Sequence, residues 1–181
     1  MCPPKRRALP VRHWVPRGAG DRLPHWNIKH PKIMTEEKQL KWDNLYMNIA
    51  REFAKMSYCK RLQVGAVIVK DRRIISDGYN GTPSGFDNVC EDCDNKTYPY
   101  VLHAEANAIT KIAASTYSSE GATIYITASP CIECAKLIIQ AGITRVVYGE
   151  LYRSDEGLKL LQKAGVEIFY LQPPRIYCGV G

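Results

Sequence analysis

The sequence predicts an α/β domain in which helices cover both faces of a sheet. Two observations support this prediction. A β-branched run, a short turn and a second apolar run are typical of a β-hairpin, and helical and strand patterns then alternate three times. Helices that alternate with strands favour parallel neighbours, with the connecting helices packed on the faces of the sheet.

The composition fits a globular domain. The chain has 181 residues, of which 45% are hydrophobic and 24% charged, and this excludes a wholly disordered or collagen-like chain. No run reaches the ~18 apolar residues of a membrane span. Seven cysteines without a secretory signal indicate a reducing compartment, and we expect the cytoplasm. There, thiols serve metals or catalysis more often than disulfides.

The charge divides the chain into two parts. Residues 1–33 hold eight basic residues, one acidic residue and six of the eleven prolines, so we expect a disordered basic tail. That tail is either a localisation signal, a transit peptide or upstream sequence without function. Residues 34–181 hold 17 basic and 17 acidic residues, and this neutral domain argues against a nucleic-acid partner.

The first helix of the domain is predicted to follow Thr35. This threonine is a candidate N-cap, and Glu36 and Glu37 complement the positive end of the helix dipole. Apolar side chains then recur at helical spacing: Leu40, Trp42, Leu45, Tyr46, Ile49, Phe53 and Met56. This stripe predicts the face that packs on the sheet.

The hairpin follows this helix. Gln63–Lys70 and Arg73–Asp77 are predicted strands, joined by a turn at Asp71 and Arg72. Gly78–Pro99 is predicted to be a long loop rich in turn residues. Long ordered loops in compact domains are commonly functional, so we expect this loop near a site.

Three helix–strand pairs complete the domain. Predicted helices cover His103–Ala114, Cys131–Gln140 and Asp155–Ala164, and predicted strands cover Ala122–Ala128, Thr144–Tyr148 and Val166–Tyr170. Gly142 and Gly165 follow the second and third of these helices, where glycine commonly ends a helix.

Four residues at two predicted helix starts suggest a catalytic metal site. Cys131 and Cys134 are three residues apart, so both sulfurs project from one helical face. Together with His103 they make three zinc ligands, which leaves a fourth position open for water, as in catalytic zinc sites. Glu105 lies two residues past His103 and points away from the ligand direction, where a carboxylate can move the proton of that water.

The two motifs are specific only in combination. A lone C-x-x-C also fits a redox pair or a structural metal site, and a lone H-x-E has no diagnostic value. An H-x-E followed by P-C-x-x-C is the signature of the zinc deaminases, in which the glutamate is the general acid and base. The chain therefore resembles that superfamily.

The flanking residues resemble one branch of it. Val64–Val69, Gly78–Gly85, His103–Ile109 and Ser129–Ile143 closely resemble the deoxycytidylate (dCMP) deaminases, over residues 45–169. The resemblance implies a zinc-dependent hydrolase of pyrimidine nucleotide biosynthesis, which converts dCMP to dUMP and ammonia for thymidylate synthesis. It also implies a cytidine-deaminase-like three-layer α/β/α sandwich around a five-stranded mixed sheet.

The resemblance further implies roles for single residues. It makes His103, Cys131 and Cys134 the zinc ligands and Glu105 the proton shuttle. It places Asn80 at the sugar and base of the substrate and Tyr152 near the phosphate. Without the resemblance, the turn at Asn80 reads as an ordinary tight turn and Tyr152 as an ordinary surface residue.

Some members of this family carry a second, structural zinc. Cys59, Cys90 and Cys93 are the candidate ligands in this chain, with free thiols beside an ordered loop as the alternative. No histidine lies between Cys59 and His103, so the fourth ligand would have to be a carboxylate, which is uncommon in structural zinc sites. The candidate carboxylates are Asp87, Asp92 and Asp94.

The resemblance also raises the question of regulation. Many dCMP deaminases are homohexamers that dCTP activates and dTTP inhibits, with Mg²⁺ accompanying the triphosphate. Here the candidate effector residues are Lys60, Arg61, Gly81 and Gly85. The alternative is that the two cations end a solvated helix and that the turn serves folding alone.

Two other functions use the same ligands. A tRNA deaminase would share the zinc signature and use the basic tail to bind RNA. A zinc module without activity would keep the ligands but would not need Glu105. We expect a nucleotide substrate, a homo-oligomer, and neither a membrane nor a nucleic-acid partner.

Overall fold

The computed structural model describes residues 35–172. The predicted tail at residues 1–33 lies outside them. The helices are α1 (Glu36–Ala54), α2 (Ala104–Ala113), α3 (Ile132–Gln140) and α4 (Glu156–Lys163). The strands are β1 (Gly65–Lys70), β2 (Arg73–Tyr79), β3 (Thr123–Ala128), β4 (Arg145–Glu150) and β5 (Glu167–Tyr170). None of the described helices is long and apolar enough to cross a membrane.

The five strands form one mixed sheet in the order β2-β1-β3-β4-β5. The β1–β2 hairpin turns at Asp71 and Arg72, whose φ angles of 50° and 62° are the left-handed values that a tight two-residue hairpin turn requires. β1 is antiparallel to both of its neighbours, whereas β3, β4 and β5 run parallel. The predicted five-stranded mixed sheet is confirmed.

The helices form the two outer layers of the sandwich. One face of the sheet packs against α2, α3 and α4 through alternate residues of the central strands, among them Ile68, Ile124 and Val146. The opposite face packs against α1 through the intervening residues, such as Val67 and Tyr125. This alternation follows from the two-residue period of a strand, and it gives the protein a core on each side of the sheet.

The predicted stripe of α1 is right in part: Tyr46 is buried in the core, and Trp42, Ile49 and Phe53 pack against it. Leu40, Leu45 and Met56 are exposed, and Met56 lies beyond the end of the helix. The buried residues are Asp43, Tyr46, Met47, Ala50 and Ala54. Small residues at the contact, Ala50 on α1 and Gly65 on β1, let the helix approach the strand closely. Thr35 occupies the N-cap position, but its side chain makes no capping hydrogen bond.

The packing of α2 on β2 depends on Gly78. A Cβ atom at this position would collide with the backbone oxygen of Ala104 and lie 2.7 Å from the nitrogen of Ala108. Ser76 and Asn107 add two hydrogen bonds between the helix and the strand, at 2.7 and 3.0 Å. The first turn of α2 is therefore held rigidly against the end of β2, and the candidate active site lies in that turn.

Candidate active site

The site forms where the N-terminal ends of α2 and α3 meet. His103 is the N-cap residue of α2 and Cys131 is the N-cap residue of α3, both with extended backbone. Neither side chain caps its own helix. Both remain free to face each other, at the ends of two helices whose dipoles favour negative charge.

The three predicted ligands are brought together. His103 Nδ1 lies 3.5 Å from Cys131 Sγ and 3.4 Å from Cys134 Sγ. All three ligand atoms lie within 4.8 Å of one another. Within residues 35–172, this is the one group of three or more His, Cys, Asp or Glu side chains close enough to share a metal ion.

The electrostatics of the group favour a bound cation. A hydrogen bond from Cys134 and a second one from His103 lower the pKa of Cys131 to about 3. The same contact with Cys131, together with burial, raises the pKa of Cys134. The pKa of His103 is raised, chiefly by its hydrogen bond to Cys131. A thiolate at Cys131 beside a second sulfur and an imidazole is a soft N/S donor set of the kind that zinc prefers.

Glu105 lies beside this group in the first turn of α2. Its side chain is 4% exposed, and burial raises its pKa to about 7. Since both protonation states of such a carboxyl are populated near neutral pH, Glu105 can take up a proton and release it again. The group of ligand atoms does not include it.

A cavity of about 210 Å³ opens onto these side chains. It is lined by Cys59, Arg61, Leu62, Val64, Asn80, Glu91, Thr97, Val101, His103, Ala104, Glu105, Ala128, Ser129, Cys131, Tyr152 and Arg153. It thus joins the metal group to both predicted substrate residues, Asn80 and Tyr152. The long loop after β2 supplies part of its wall, as the sequence predicted.

Asn80 contributes to this wall with its amide already hydrogen-bonded. Its Oδ1 accepts the N–H of Val64 at 2.7 Å, and its Nδ2 donates to the carbonyl oxygen of Leu62 at 2.8 Å. Its own carbonyl oxygen accepts the hydroxyl of Ser57 at 2.7 Å. Asn80 therefore ties the segment before β1 to the end of β2 and shapes the cavity.

Tyr152 lies after β4, beside two lining residues that the sequence did not single out. Its N–H donates to the hydroxyl of the buried Ser129 at 2.8 Å. The guanidinium of Arg153 lies over the Tyr152 ring, 4.9 Å from its centroid. Arg153 could have been found from the sequence, because it is a cation directly after Tyr152, the residue predicted to lie near the phosphate. Ser129 carried no such signal.

The cysteines predicted to bind a second zinc are arranged differently. Cys59 and Cys90 form a disulfide, with their Cα atoms 5.1 Å apart, and Cys93 is an exposed free thiol. Disulfide sulfurs are not thiolate ligands, so the second zinc is not supported. The expectation that thiols here serve metals rather than disulfides is wrong for this pair, because folding brings two residues 31 apart in the chain into contact.

The candidate effector residues do not form one group. Arg61 lines the cavity that also holds Glu105. The N–H groups of Lys60 and Arg61 point to the carboxylate of Glu91, at 3.1–3.3 Å, so they are already bonded. The N–H of Gly81 donates to the carbonyl oxygen of Leu102, and Gly85 has a left-handed φ of 88°. Neither Glu91 nor its contacts were predicted, because its partners lie about 30 residues away.

Known proteins resemble the chain over most of its described length. Residues 40–150 match the family model for the cytidine and deoxycytidylate deaminase zinc-binding region. The deoxycytidylate deaminase of Saccharomyces cerevisiae is 37% identical over 148 residues, which cover 75% of this chain and 47% of that protein. The deoxycytidylate deaminase of Homo sapiens is 39% identical over 144 residues, which cover 70% of this chain and 78% of that protein.

A solved structure is similar as well. The crystal structure of dCMP deaminase from the cyanophage S-TIM5, in complex with dCMP and dUMP, has a TM-score of 0.71 to this chain at 45% identity. The match covers 76% of this chain and 99% of that chain. The chain therefore spans about half the length of the yeast relative and almost all of the phage chain.

Proposed function

The chain belongs to the cytidine and deoxycytidylate deaminase family, and on that premise we propose that it hydrolyses dCMP to dUMP and ammonia. The observation that carries the proposal is the meeting of His103, Cys131 and Cys134 beside the buried carboxyl of Glu105. Relatives at 37–39% identity include deoxycytidylate deaminases of Saccharomyces cerevisiae and Homo sapiens. The reaction would make the protein a hydrolase of a cyclic amidine C–N bond.

The residues present fit a zinc ion. One ring nitrogen and two sulfurs converge within 4.8 Å, and the low pKa of Cys131 supplies a thiolate without metal. His103, Cys131 and Cys134 would hold the ion, and three protein ligands leave a coordination position open. When bound, zinc supplies a Lewis acid that activates water at neutral pH.

Glu105 is proposed as the general acid and base. Deamination adds one water to C4 of the base and expels ammonia, so protons must leave the water and reach first N3 and then the amino nitrogen. Glu105 takes one proton from the water and delivers it to N3, then takes the second proton from the new C4 hydroxyl and delivers it to the amino nitrogen, which leaves as ammonia. Its pKa of about 7 supports this role, because the carboxyl gains and loses a proton at little cost near neutral pH.

Two further lining residues are proposed to face the substrate. Tyr152 lies at the end of a parallel strand, where ligands of α/β sheets gather, and we assign it to the phosphate end of dCMP. Asn80 is assigned to the sugar and base. The hydrogen bonds of its amide to Leu62 and Val64 support a role in shaping this part of the cavity.

Assembly, regulation and location are part of the same proposal. We propose a cytoplasmic homohexamer that dCTP, with Mg²⁺, activates and dTTP inhibits. The described residues expose large apolar side chains, among them Leu45, Leu137 and Leu151, which could be covered by other copies of the chain. Lys60, Arg61 and the turn that carries Gly81 and Gly85 are the proposed effector residues. Residues 1–33 are proposed to be dispensable for catalysis by residues 34–181.

The function is tested by steady-state kinetics on purified protein of known zinc content. dCMP, CMP, dCTP, cytidine and tRNA are compared in parallel, with ammonia release as the signal. We expect the highest kcat/KM for dCMP, because a site that binds the phosphate loses binding energy without it. Turnover of adenosine in tRNA with none of dCMP would instead establish the tRNA deaminase alternative. The neutral domain and the similarity to dCMP deaminases do not favour that alternative.

A further inference from the structure

A disulfide fastens the long loop after β2 to the segment before β1. Cys59 precedes β1 and Cys90 lies in the loop, and their Cα atoms are 5.1 Å apart although 31 residues separate them in the chain. Both residues are buried, with exposed fractions of 4% and 1%. A covalent link across a segment of this length restricts the unfolded chain, so the bond should contribute to the stability of the domain.

The contacts around Cys59 connect this bond to the wall of the cavity. Its N–H donates to the hydroxyl of Ser57 at 3.2 Å, and that hydroxyl donates to the carbonyl oxygen of Asn80 at 2.7 Å. The Sγ of Cys59 lies 3.7 Å from the same carbonyl oxygen. Cys59 and Asn80 both line the cavity that holds Glu105. The position of Cys59 therefore affects the part of the wall that Asn80 shapes.

The contacts beside Cys90 reach the same wall. The next residue, Glu91, lines the cavity, and its carboxylate accepts the N–H groups of Lys60 and Arg61 at 3.1–3.3 Å. The carbonyl oxygen of Cys90 accepts the N–H of Tyr98 at 2.9 Å, which keeps this part of the loop folded back on itself. The disulfide thus ties together the two segments that form this wall, and its reduction would leave only noncovalent contacts between them.

We infer that the Cys59–Cys90 disulfide is a reversible redox switch that sets the affinity of the cavity for its nucleotide. This inference rests on the proposed function, from which it takes the cytoplasmic location and the nucleotide ligand. Disulfides in a reducing compartment are commonly transient and catalytic or redox-sensing rather than permanent. Because Cys59 lines the cavity, a small thiol can reach the bond from there, although both cysteines are otherwise buried. A bound nucleotide would cover that route.

The exchange is balanced with glutathione as the redox partner. In oxidation, the Cys59 thiolate attacks one sulfur of glutathione disulfide, a mixed disulfide forms and one glutathione thiolate leaves. The Cys90 thiolate then attacks the Cys59 sulfur and expels the second glutathione. The two cysteine thiols give up two protons and two electrons, and glutathione disulfide is reduced to two molecules of glutathione. Reduction of the protein runs through the same steps in reverse.

The test measures calorimetric binding of dUMP to zinc-loaded protein at the two ends of a glutathione redox titration. Oxidised wild type should bind dUMP at least about 5-fold more tightly than reduced wild type, because the bond holds the cavity wall in place before the ligand arrives. Alkylation followed by mass spectrometry reports which thiols are free in each state. Equal dUMP affinities in the two states would overturn the inference.

Cysteine variants assign the response to this bond. The double variant Cys59→Ser with Cys90→Ser should bind dUMP like the reduced wild type and should not respond to glutathione. Cys93→Ser is the matched control, since it removes an exposed thiol of the same loop and should keep the full response. A response that persists in the double variant would place the effect on other cysteines and overturn the inference. If the double variant does not fold, the comparison of the two wild-type states decides.

Linkage between the bond and the ligand gives a second measurement. A nucleotide that prefers the oxidised protein must stabilise the disulfide by the same factor, so saturating dUMP should shift the half-oxidation point toward more reducing conditions by the affinity ratio. A bond that glutathione does not reduce in the folded protein, or a second zinc ion held by the reduced thiols, would overturn the inference. Absence of dCMP turnover by the zinc-loaded protein in both redox states would instead contradict the proposed function, so the two failures are distinguishable.

Discussion

Arg145 and Asp43 form a two-pronged ion pair across 102 residues of sequence. Nη1 lies 2.8 Å from Oδ1 and Nη2 lies 2.9 Å from Oδ2, with the Asp43 side chain 1% exposed and that of Arg145 13% exposed. Tyr125 and Gln39 donate two more hydrogen bonds to the same carboxylate, each at 2.8 Å. The group joins α1 to strands β3 and β4 and holds the helix on its face of the sheet.

Breaking this pair should destabilise the fold. We expect Asp43→Asn to lower the free energy of unfolding by roughly 3 kcal/mol, because it leaves a largely buried guanidinium without its main partner. The control is Glu167→Gln, which removes the other carboxylate bonded to Arg145. That side chain is 65% exposed, so its loss should cost at most about 1 kcal/mol. Urea unfolding midpoints measure the stability of both variants. Equal midpoints would contradict the conclusion that Asp43 is the main partner of Arg145.

The same variant should change how stability depends on pH. Burial alone would raise the pKa of Asp43, but hydrogen bonds from Arg145, Gln39 and Tyr125 outweigh it and lower that pKa. Because the pKa of Asp43 is lower in the folded than in the unfolded state, its ionised form stabilises the fold at pH values above the unfolded-state pKa of about 3.9. That stabilisation is lost as the pH falls toward and through the folded-state pKa. The difference in unfolding free energy between wild type and Asp43→Asn should therefore narrow as the pH falls below about 4.

Glu105→Gln should retain zinc and lose activity. Glutamine has nearly the same shape but cannot carry a proton, so kcat for dCMP should fall by at least the ~10²–10⁴-fold that general acid–base catalysis supplies. Glu133→Gln is the control, since Glu133 is an exposed glutamate in the first turn of α3. Metal content by mass spectrometry and initial rates give the two readouts. A near-normal rate in Glu105→Gln would remove Glu105 from the mechanism.

Gly157→Ala should weaken metal binding from outside the ligand group. A Cβ atom at Gly157 would collide with the carbonyl oxygen of Pro130 and lie 2.9 Å from the carbonyl carbon of Cys131. The added methyl group must push the backbone at Cys131 away from α4, and this displaces the thiol from His103. The measurement is zinc affinity by competition with a chelating dye, with Glu156→Ala as the control on the same helix. Equal affinities in both variants would show that the backbone adapts without moving the ligand.

A protein that starts at Met34 should keep the kinetics of the full chain. The described residues 35–172 include the four motif residues His103, Glu105, Cys131 and Cys134, and the composition of residues 1–33 predicts a tail outside the domain, so we expect catalysis not to require it. We expect the same kcat and KM for dCMP and the same melting temperature. A large loss of either would show that residues 1–33 stabilise the domain.

If the protein is regulated as proposed, its rate should depend sigmoidally on the dCMP concentration, or the dCMP concentration for half-maximal rate should change when a triphosphate is added. dCTP should raise the apparent affinity for dCMP and dTTP should lower it, and binding of dCMP should weaken dTTP binding by the same factor. Saturation curves with each triphosphate and Mg²⁺, together with a sedimentation mass, provide the measurement. A monomer with hyperbolic kinetics that ignores both triphosphates would contradict regulation and leave the catalytic proposal intact.

Local patterns in the sequence determined the elements and the metal group. The strands after the hairpin and all four helices lie within a few residues of their predicted positions, because periodicity and glycine stop signals act over short distances. The motifs His103-Ala104-Glu105 and Cys131–Cys134 start two helices that the structure brings together. The family predicted from these motifs is confirmed by the match over residues 40–150.

Only the tertiary structure decided which distant residues meet. Asp43 is polar and was not among the residues predicted to face the sheet, yet it is buried because Arg145 from β4 neutralises its charge. Glu91, Arg61 and the Cys59–Cys90 disulfide likewise depend on how the loop after β2 packs on the segment before β1. Such contacts depend on strand order and helix approach, and the periodicity of one element carries no information about either.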